Sequence, residues 1–164
     1  MVQRLLDSIE GTERGLNPDQ REAVLAAAAG LVVYGAGQTT TNAEALSGTW
    51  RLLWTTEKET LFILEKAGWF GTKAGETCQV IDVEGGTLQN VITFPPAGAF
   101  IVDSSIEIVG PQRTEFQFTG ATLLTEDRAL KLPPFGKGWF DTVYLDAEIR
   151  VAQDSRGDTL VVAR

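Results

Sequence analysis

From Leu46 to the C-terminus the apolar residues recur with a period of two, and the runs are cut by turn residues. Alternation of this kind puts one set of side chains on each face of a strand, and it is interrupted by two insertions, the first with a short amphipathic helix around Thr60–Lys66. Strands are predicted at Thr49–Thr56, Thr77–Val83, Leu88–Phe94, Ala99–Val109, Arg113–Thr119, Ala121–Thr125, Thr142–Ala152 and Thr159–Arg164. Glu84-Gly85-Gly86, Pro95-Pro96-Ala97-Gly98, Gly110-Pro111 and Arg156-Gly157-Asp158 mark turns. About eight short strands joined in sequence point to a mainly β protein, an antiparallel up-and-down barrel, with a sandwich as the alternative. A barrel of that size is filled by its own side chains or holds one small ligand.

The first 46 residues read differently. Leu5, Leu6 and Ile9 form one helical stripe, ended by Gly11 and Gly15. A second helix follows, with Asn17 as its cap, Pro18 in its first turn and Gln20 at the capping-box position. It ends at Gly30 or runs on to Tyr34. The polar, glycine- and threonine-rich stretch after it reads as a linker. Gly35-Ala36-Gly37 is no nucleotide fingerprint, because no strand precedes it and no helix follows from it. The expected organisation is a helical segment and linker at 1–46 and a barrel at 47–164, packed as one structural unit.

Composition narrows the chemistry. There is no histidine, so the usual general base and the commonest metal ligand are both missing. The single cysteine, Cys78, cannot form an internal disulfide and reads as a buried, inert thiol in a reducing compartment. No metal site, catalytic residue or cofactor is expected. The net charge of −8 comes without a basic patch, which argues against a nucleic-acid partner and against docking on anionic lipid by charge. The apolar run from Ala23 to Gly37 is too short and too rich in Ala and Gly to span a membrane. The N-terminus has neither a signal peptide's pattern nor a transit peptide's basic character, so an imported form would be a processed or trimmed one.

The stretch GWFDTVYLDAEIRV, Gly138 to Val151, holds the densest set of titratable groups. Read as one strand, it puts Val143, Leu145, Ala147, Ile149 and Val151 on one face and Tyr144, Asp146, Glu148 and Arg150 on the other. Asp146 and Glu148 would then sit roughly 7 Å apart, a spacing open to acid–base work. Arg150 beside them favours a polar outer face with a row of salt bridges. Matching apolar rows recur at Trp50, Leu52 and Trp54; at Leu88, Ile92 and Phe94; at Phe100, Val102, Ile106 and Ile108; and at Phe116 and Phe118. Asn90 interrupts the second row and needs a partner in a core or a ligand. The candidate ligand-facing residues are therefore Trp54, Gln79, Asn90, Ile92, Phe94, Phe100, Val102, Phe116 and Phe118. Thr56 joins Gln79 and Asn90 as a candidate for head-group hydrogen bonds.

Gly48 to Trp50 resembles the opening of a lipocalin-type barrel, in which the tryptophan plugs the floor and an arginine covers its face. Trp50 and Arg150, with Arg164 as second choice, are the candidates for that structural pair. Four segments, LLDSIEGTERG, LSGTWRLLWTT, QVID with LQNVITF, and GKGWFDTVYLDAEIRV, occur in an order that resembles the plastid lipid-associated proteins, the fibrillins or plastoglobulins. The resemblance covers nearly the whole chain. It implies a lipocalin-like barrel after an N-terminal helical pair, with no established catalysis. It implies location in plastids, or at thylakoids if the source is cyanobacterial. It implies binding of a lipid or isoprenoid ligand and peripheral attachment to lipid globules or thylakoids. The alternative is a filled barrel serving as a scaffold for an enzyme of prenyl-lipid biosynthesis. A carboxylate-dependent enzyme is the third reading.

Two insertions carry the composition of a membrane rim. The first holds Phe62, Trp69 and Phe70 with Lys66 and Lys73, and the second holds Phe135, Trp139 and Phe140 with Lys131 and Lys137. Counting turns along the expected strands puts them at opposite ends of the barrel. Only the first insertion, with a short apolar helix, is expected to lie across the mouth, unless the second folds back along the wall.

Overall fold

The structure, a computed structural model, describes residues 1–133 and 135–164, with the backbone alone at position 70. Helices α1 (Val2–Ile9) and α2 (Arg21–Gly35) come first, and a one-turn helix α3 (Ala43–Leu46) leads into the sheet. Strands β1 (Gly48–Thr55), β2 (Thr77–Asp82), β3 (Thr87–Phe94), β4 (Gly98–Ile108), β5 (Arg113–Leu124), β6 (Ala129–Leu132), β7 (Lys137–Leu145), β8 (Ile149–Asp154) and β9 (Thr159–Ala163) follow. Helix α4 (Lys58–Lys66) lies between β1 and β2. All strand pairs are antiparallel, and the order β4-β3-β2-β1-β9-β8-β7-β5 closes through a β4–β5 pairing into a ring of 8 strands. Strand β6 stands outside the ring, paired with the last residues of β5.

The mainly β barrel behind a helical pair is therefore present, but two strand assignments change. Arg113–Leu124 is one continuous strand, with an irregularity in its β4 pairing near Gly120 where a break was expected. Thr142–Ala152 is not one strand but the hairpin β7–β8. Its turn has no Gly or Pro. Asp146 builds it instead, its Oδ1 accepting from the backbone N–H groups of Glu148 at 2.8 Å and Ile149 at 2.7 Å. An aspartate bonding the backbone ahead of it does the work of a turn residue. Asp146 and Glu148 thus lie in a tight turn and share no strand face.

Helix α2 begins at Arg21, one turn later than Asn17 suggested. Asn17 Oδ1 accepts from the Asp19 N–H at 3.1 Å and closes a turn before the helix. The helix passes through Gly30 and ends at Gly35, where a Cβ would come within 2.1 Å of the Val143 carbonyl oxygen. Its small residues let it lie close against β7. The linker is anchored: Thr40 Oγ1 donates to the Thr142 carbonyl at 2.5 Å and Thr41 Oγ1 to that of Gly110 at 3.0 Å.

There are two cores. The outer one joins Leu5, Val24, Ala27, Ala28 and Leu31 of the helices to Trp54, Val143, Tyr144, Ile149, Val151 and Val161 of the barrel wall. The inner one, inside the ring, holds Leu46, Trp50, Leu52, Leu64, Ile81, Leu88, Ile92, Phe140, Ala152 and Val162. Bulges sort residues between them. A register shift in β1 between Leu52 and Trp54 turns Trp54 out of the interior and into the outer core. A second shift, in β7 between Thr142 and Tyr144, leaves Val143 and Tyr144 both facing the helices. Bulges re-aim side chains in this way.

Candidate functional site

Inside the ring is a cavity of about 580 Å3. Its walls are Leu52, Leu88, Ile92, Phe100, Val102, Phe116, Phe118, Phe140, Leu160 and Val162, with Trp50 at the closed end. Phe116 packs on Phe118 at 5.3 Å and on Phe140 at 6.4 Å. At the other end the cavity reaches Glu57, Glu59, Thr60 and Ile63 at the start of α4, Leu132, Pro133 and Phe135 of the second insertion, and Arg156 and Asp158 of the β8–β9 turn.

Trp50 is fully buried and its Nε1 donates to the Leu46 carbonyl at 2.9 Å. Both candidate arginines face it. Arg150 lies 5.5 Å from its ring and Arg164 4.5 Å, and the Arg164 guanidinium also donates to the Ala45 carbonyl. Strand alternation put Arg150 on an outer salt-bridge row, whereas the barrel-floor resemblance put it on Trp50, where it lies. It is fully buried and lines the cavity, because the hairpin turn resets the face of β8 and the helices cover the outer wall with the apolar set. Among the described residues it has no carboxylate partner. Its Nη2 donates to Gln79 Oε1, and Gln79 Nε2 donates to Asn90 Oδ1 at 3.0 Å. Burial pulls its pKa down to about 9, with the charge of Glu57 acting in the opposite direction, so it stays cationic at neutral pH.

Of the ligand-facing candidates, Gln79, Asn90, Ile92, Phe100, Val102, Phe116 and Phe118 line this cavity. Trp54 does not, because of the β1 bulge. Phe94 packs against the inner core at the end of β3 without lining the cavity. Thr56 is committed elsewhere: its hydroxyl donates to Asp158 at 2.7 Å and accepts from the Thr159 N–H at 3.0 Å. Cys78 is half-buried and lines the cavity, its thiol pushed up by burial and by Glu76, against Arg51. Glu57 and Phe140 are lining residues that periodicity did not single out for the interior. Glu57 is half-buried at the mouth. Its carboxyl is raised to about 6, first by burial and then by Asp154, Asp158 and Glu59, against the Thr60 hydroxyl that donates to it at 3.0 Å.

The rim also differs from the count of turns. Because β5 is continuous, the first insertion follows ring strand one and the second follows ring strand five. Both leave the same end of an up-and-down ring. Phe62, Trp69 and Phe135 are 60%, 79% and 84% exposed there, and Lys66 lies over the Trp69 ring at 4.2 Å. Trp139 is not at the rim. It lies on the outer wall of β7 with the Arg113 guanidinium 3.7 Å over its ring, and Arg113 makes a bidentate pair with Asp141 at 2.8 Å. The Phe70 side chain lies outside the described residues.

The carboxylates of the Gly138–Val151 stretch are far from acid–base duty. Asp146 accepts from the Tyr144 hydroxyl at 2.7 Å as well as from the two backbone groups. These bonds hold its pKa below the usual range although burial opposes them, and the Tyr144 hydroxyl is pushed up to about 12. Neither Asp146 nor Glu148 lines the cavity. No group of three or more His, Cys, Asp or Glu among the described residues is placed to hold a metal.

A closed antiparallel ring of eight strands around one apolar cavity, plugged by a tryptophan under arginine, is a lipocalin-like barrel of a size to hold one small molecule. The PAP_fibrillin family model matches residues 1–163, and the chain belongs to that family. It is 54% identical over 98% of its length to "Probable plastid-lipid-associated protein 11, chloroplastic" of Arabidopsis thaliana, spanning 77% of that protein. It is 25% identical over 98% of its length to "Probable plastid-lipid-associated protein 12, chloroplastic" of the same plant, spanning 44% of that protein. No solved structure matches. The family and its named relatives are plastid proteins, and the plastid is the location of this one.

Proposed function

We propose that the protein is a non-catalytic structural barrel that holds a lipid or isoprenoid molecule and sits peripherally on a plastoglobule or thylakoid surface. One observation carries this reading: an apolar cavity of about 580 Å3 opens at the end of the barrel that also exposes Phe62, Trp69 and Phe135. The volume falls within the range of cavities that enclose one small ligand. A ligand leaving a lipid phase gains little from apolar burial, since it exchanges one apolar surrounding for another. Shape and head-group contacts must then supply the selectivity. The relatives' names, both of them plastid-lipid-associated proteins, support the same reading. The hollow lumen weighs against a filled barrel acting only as a scaffold for prenyl-lipid enzymes. The position of Asp146 and Glu148 in the far turn weighs against a carboxylate enzyme. The test is native purification from a thylakoid-containing background, followed by solvent extraction and mass spectrometry. The expected result is one lipid class recovered near equimolar amounts, lost when Leu160→Trp fills the cavity. Recovery of equal lipid from that variant would move the site out of the barrel.

A further inference from the structure

The two arginines at Trp50 differ in what they leave unspent. Arg164 is held at the closed end by the Ala45 carbonyl, on the segment that enters β1. Arg150 faces the cavity, fully buried, and its Nε and Nη1 have no acceptor among the described residues. A guanidinium offers five N–H donors and no acceptor. Its one acceptor here, Gln79, is half of a relay, since the Gln79 amide passes a hydrogen bond on to Asn90 Oδ1 at 3.0 Å. With one bond accepted by its oxygen, Asn90 still has its amide N–H groups to offer. Strand register sets this set at one level: Trp50 pairs with Gln79, Gln79 with Asn90 and Asn90 with Val102. Ser104, two residues further along β4, adds a buried hydroxyl without a partner to the lining. The deep end of the cavity therefore carries one whole positive charge and a surplus of donors. Buried guanidinium is costly unless an anion shares the site, and Glu57 acts on it only through space, from the mouth.

We propose that the cavity takes a long-chain carboxylic acid, bound head-first, with its carboxylate on an unpartnered N–H of Arg150 and on the Asn90 amide N–H, and its hydrocarbon tail running past Phe116, Phe118 and Phe100 to the mouth. The proposal rests on the reading of the barrel as a lipid-holding one and names the head group that reading leaves open. Carboxylate is favoured over a neutral carbonyl or alcohol because it is acceptor-only and supplies the missing charge. The single cavity fits one chain. No covalent step is involved.

The experiment compares oleate, oleyl alcohol and methyl oleate on the full chain, by displacement of a fluorescent fatty alcohol. The expected result is that oleate binds about tenfold or more tightly than the alcohol and the ester, the ratio a charge-assisted hydrogen bond supplies. Arg150→Met should remove that preference and melt no lower than the parent. Arg150→Lys should keep part of it. The comparison in the unaltered protein decides the matter even if a variant fails to fold. Equal affinity for all three probes would overturn the head-group assignment and leave the lipid-holding barrel standing. Binding of none of them, with no lipid recovered on extraction, would overturn both. Retention of the oleate preference in a folded Arg150→Met would place the carboxylate elsewhere.

Discussion

Trp50 closes the barrel through three kinds of contact at once: apolar burial, an Nε1 hydrogen bond to Leu46 and two guanidinium groups over its ring. Trp50→Ala empties a fully buried site and leaves the Leu46 carbonyl without its donor, so it should destabilise by about 3–5 kcal/mol in urea unfolding. That role was readable from Gly48-Thr49-Trp50. The place of Arg150 beside it was readable from the same resemblance but not from alternation, because face assignment on a strand depends on where the strand starts, and the Asp146 turn hides that start. Glu57, missed altogether by periodicity, gives a second expectation. Its carboxyl titrates near 6 in the folded chain against an ordinary 4.5, mainly from burial. Between those values the unfolded chain loses this proton first, so the group lowers stability as pH rises through that window and by a constant amount above it. Glu57→Gln keeps an acceptor for Thr60. Its unfolding free energy in urea should match the parent's near pH 4 and exceed it above about pH 6.5, by on the order of 1 kcal/mol once solvent at the mouth is allowed for. An unchanged difference across that range would place the Glu57 carboxyl in water.

At the scale of elements, helix position is set by small residues and strand facing by bulges. Gly35 lets the end of α2 approach β7, and its missing Cβ would meet the Val143 carbonyl at 2.1 Å. Gly35→Ala should therefore push α2 off the wall and cost about 1–3 kcal/mol, as overpacking does. Thermal unfolding measures the cost, and faster proteolysis between α2 and α3 locates it. The ring was legible because alternation survives over most strands, and the helical pair because Leu5, Leu6 and Ile9 make a stripe. The hairpin at 146–148 was not, since an Asp-Ala-Glu turn lacks glycine and proline and sits inside continuous alternation. Trp54 was lost to the interior for a related reason: one extra residue in β1 reverses a face without changing the apolar pattern. Val143, Ile149 and Val151 were read correctly as buried but assigned to the wrong core, since a barrel wall under helices is apolar outside as well as in, while Leu145 packs on the inner core and Ala147 is exposed in the turn.

For the whole molecule, one end is closed by Trp50 and the other carries the exposed large aromatic side chains of the two insertions among the described residues, Phe62, Trp69 and Phe135. Counting strands put these insertions at opposite ends, and the continuity of β5 brings them together. On the proposed reading the mouth is the face that meets a lipid surface, and a ligand would pass between globule and cavity without crossing water. A chain of net charge −8 gains nothing from anionic lipid by long-range attraction, so docking must rest on aromatic insertion. Three consequences are measurable on triacylglycerol emulsions coated with galactolipid. Brominated lipid should quench Trp69 fluorescence. Added salt should leave binding unchanged or strengthen it, opposite to the behaviour of a basic docking patch. Phe62→Asp with Trp69→Ser and Phe135→Ser should reduce binding at least tenfold while the Tm stays within a few degrees of the parent, because all three side chains are largely in solvent already. Unquenched Trp69, together with undiminished binding by the triple variant, would assign the docking face to another part of the surface.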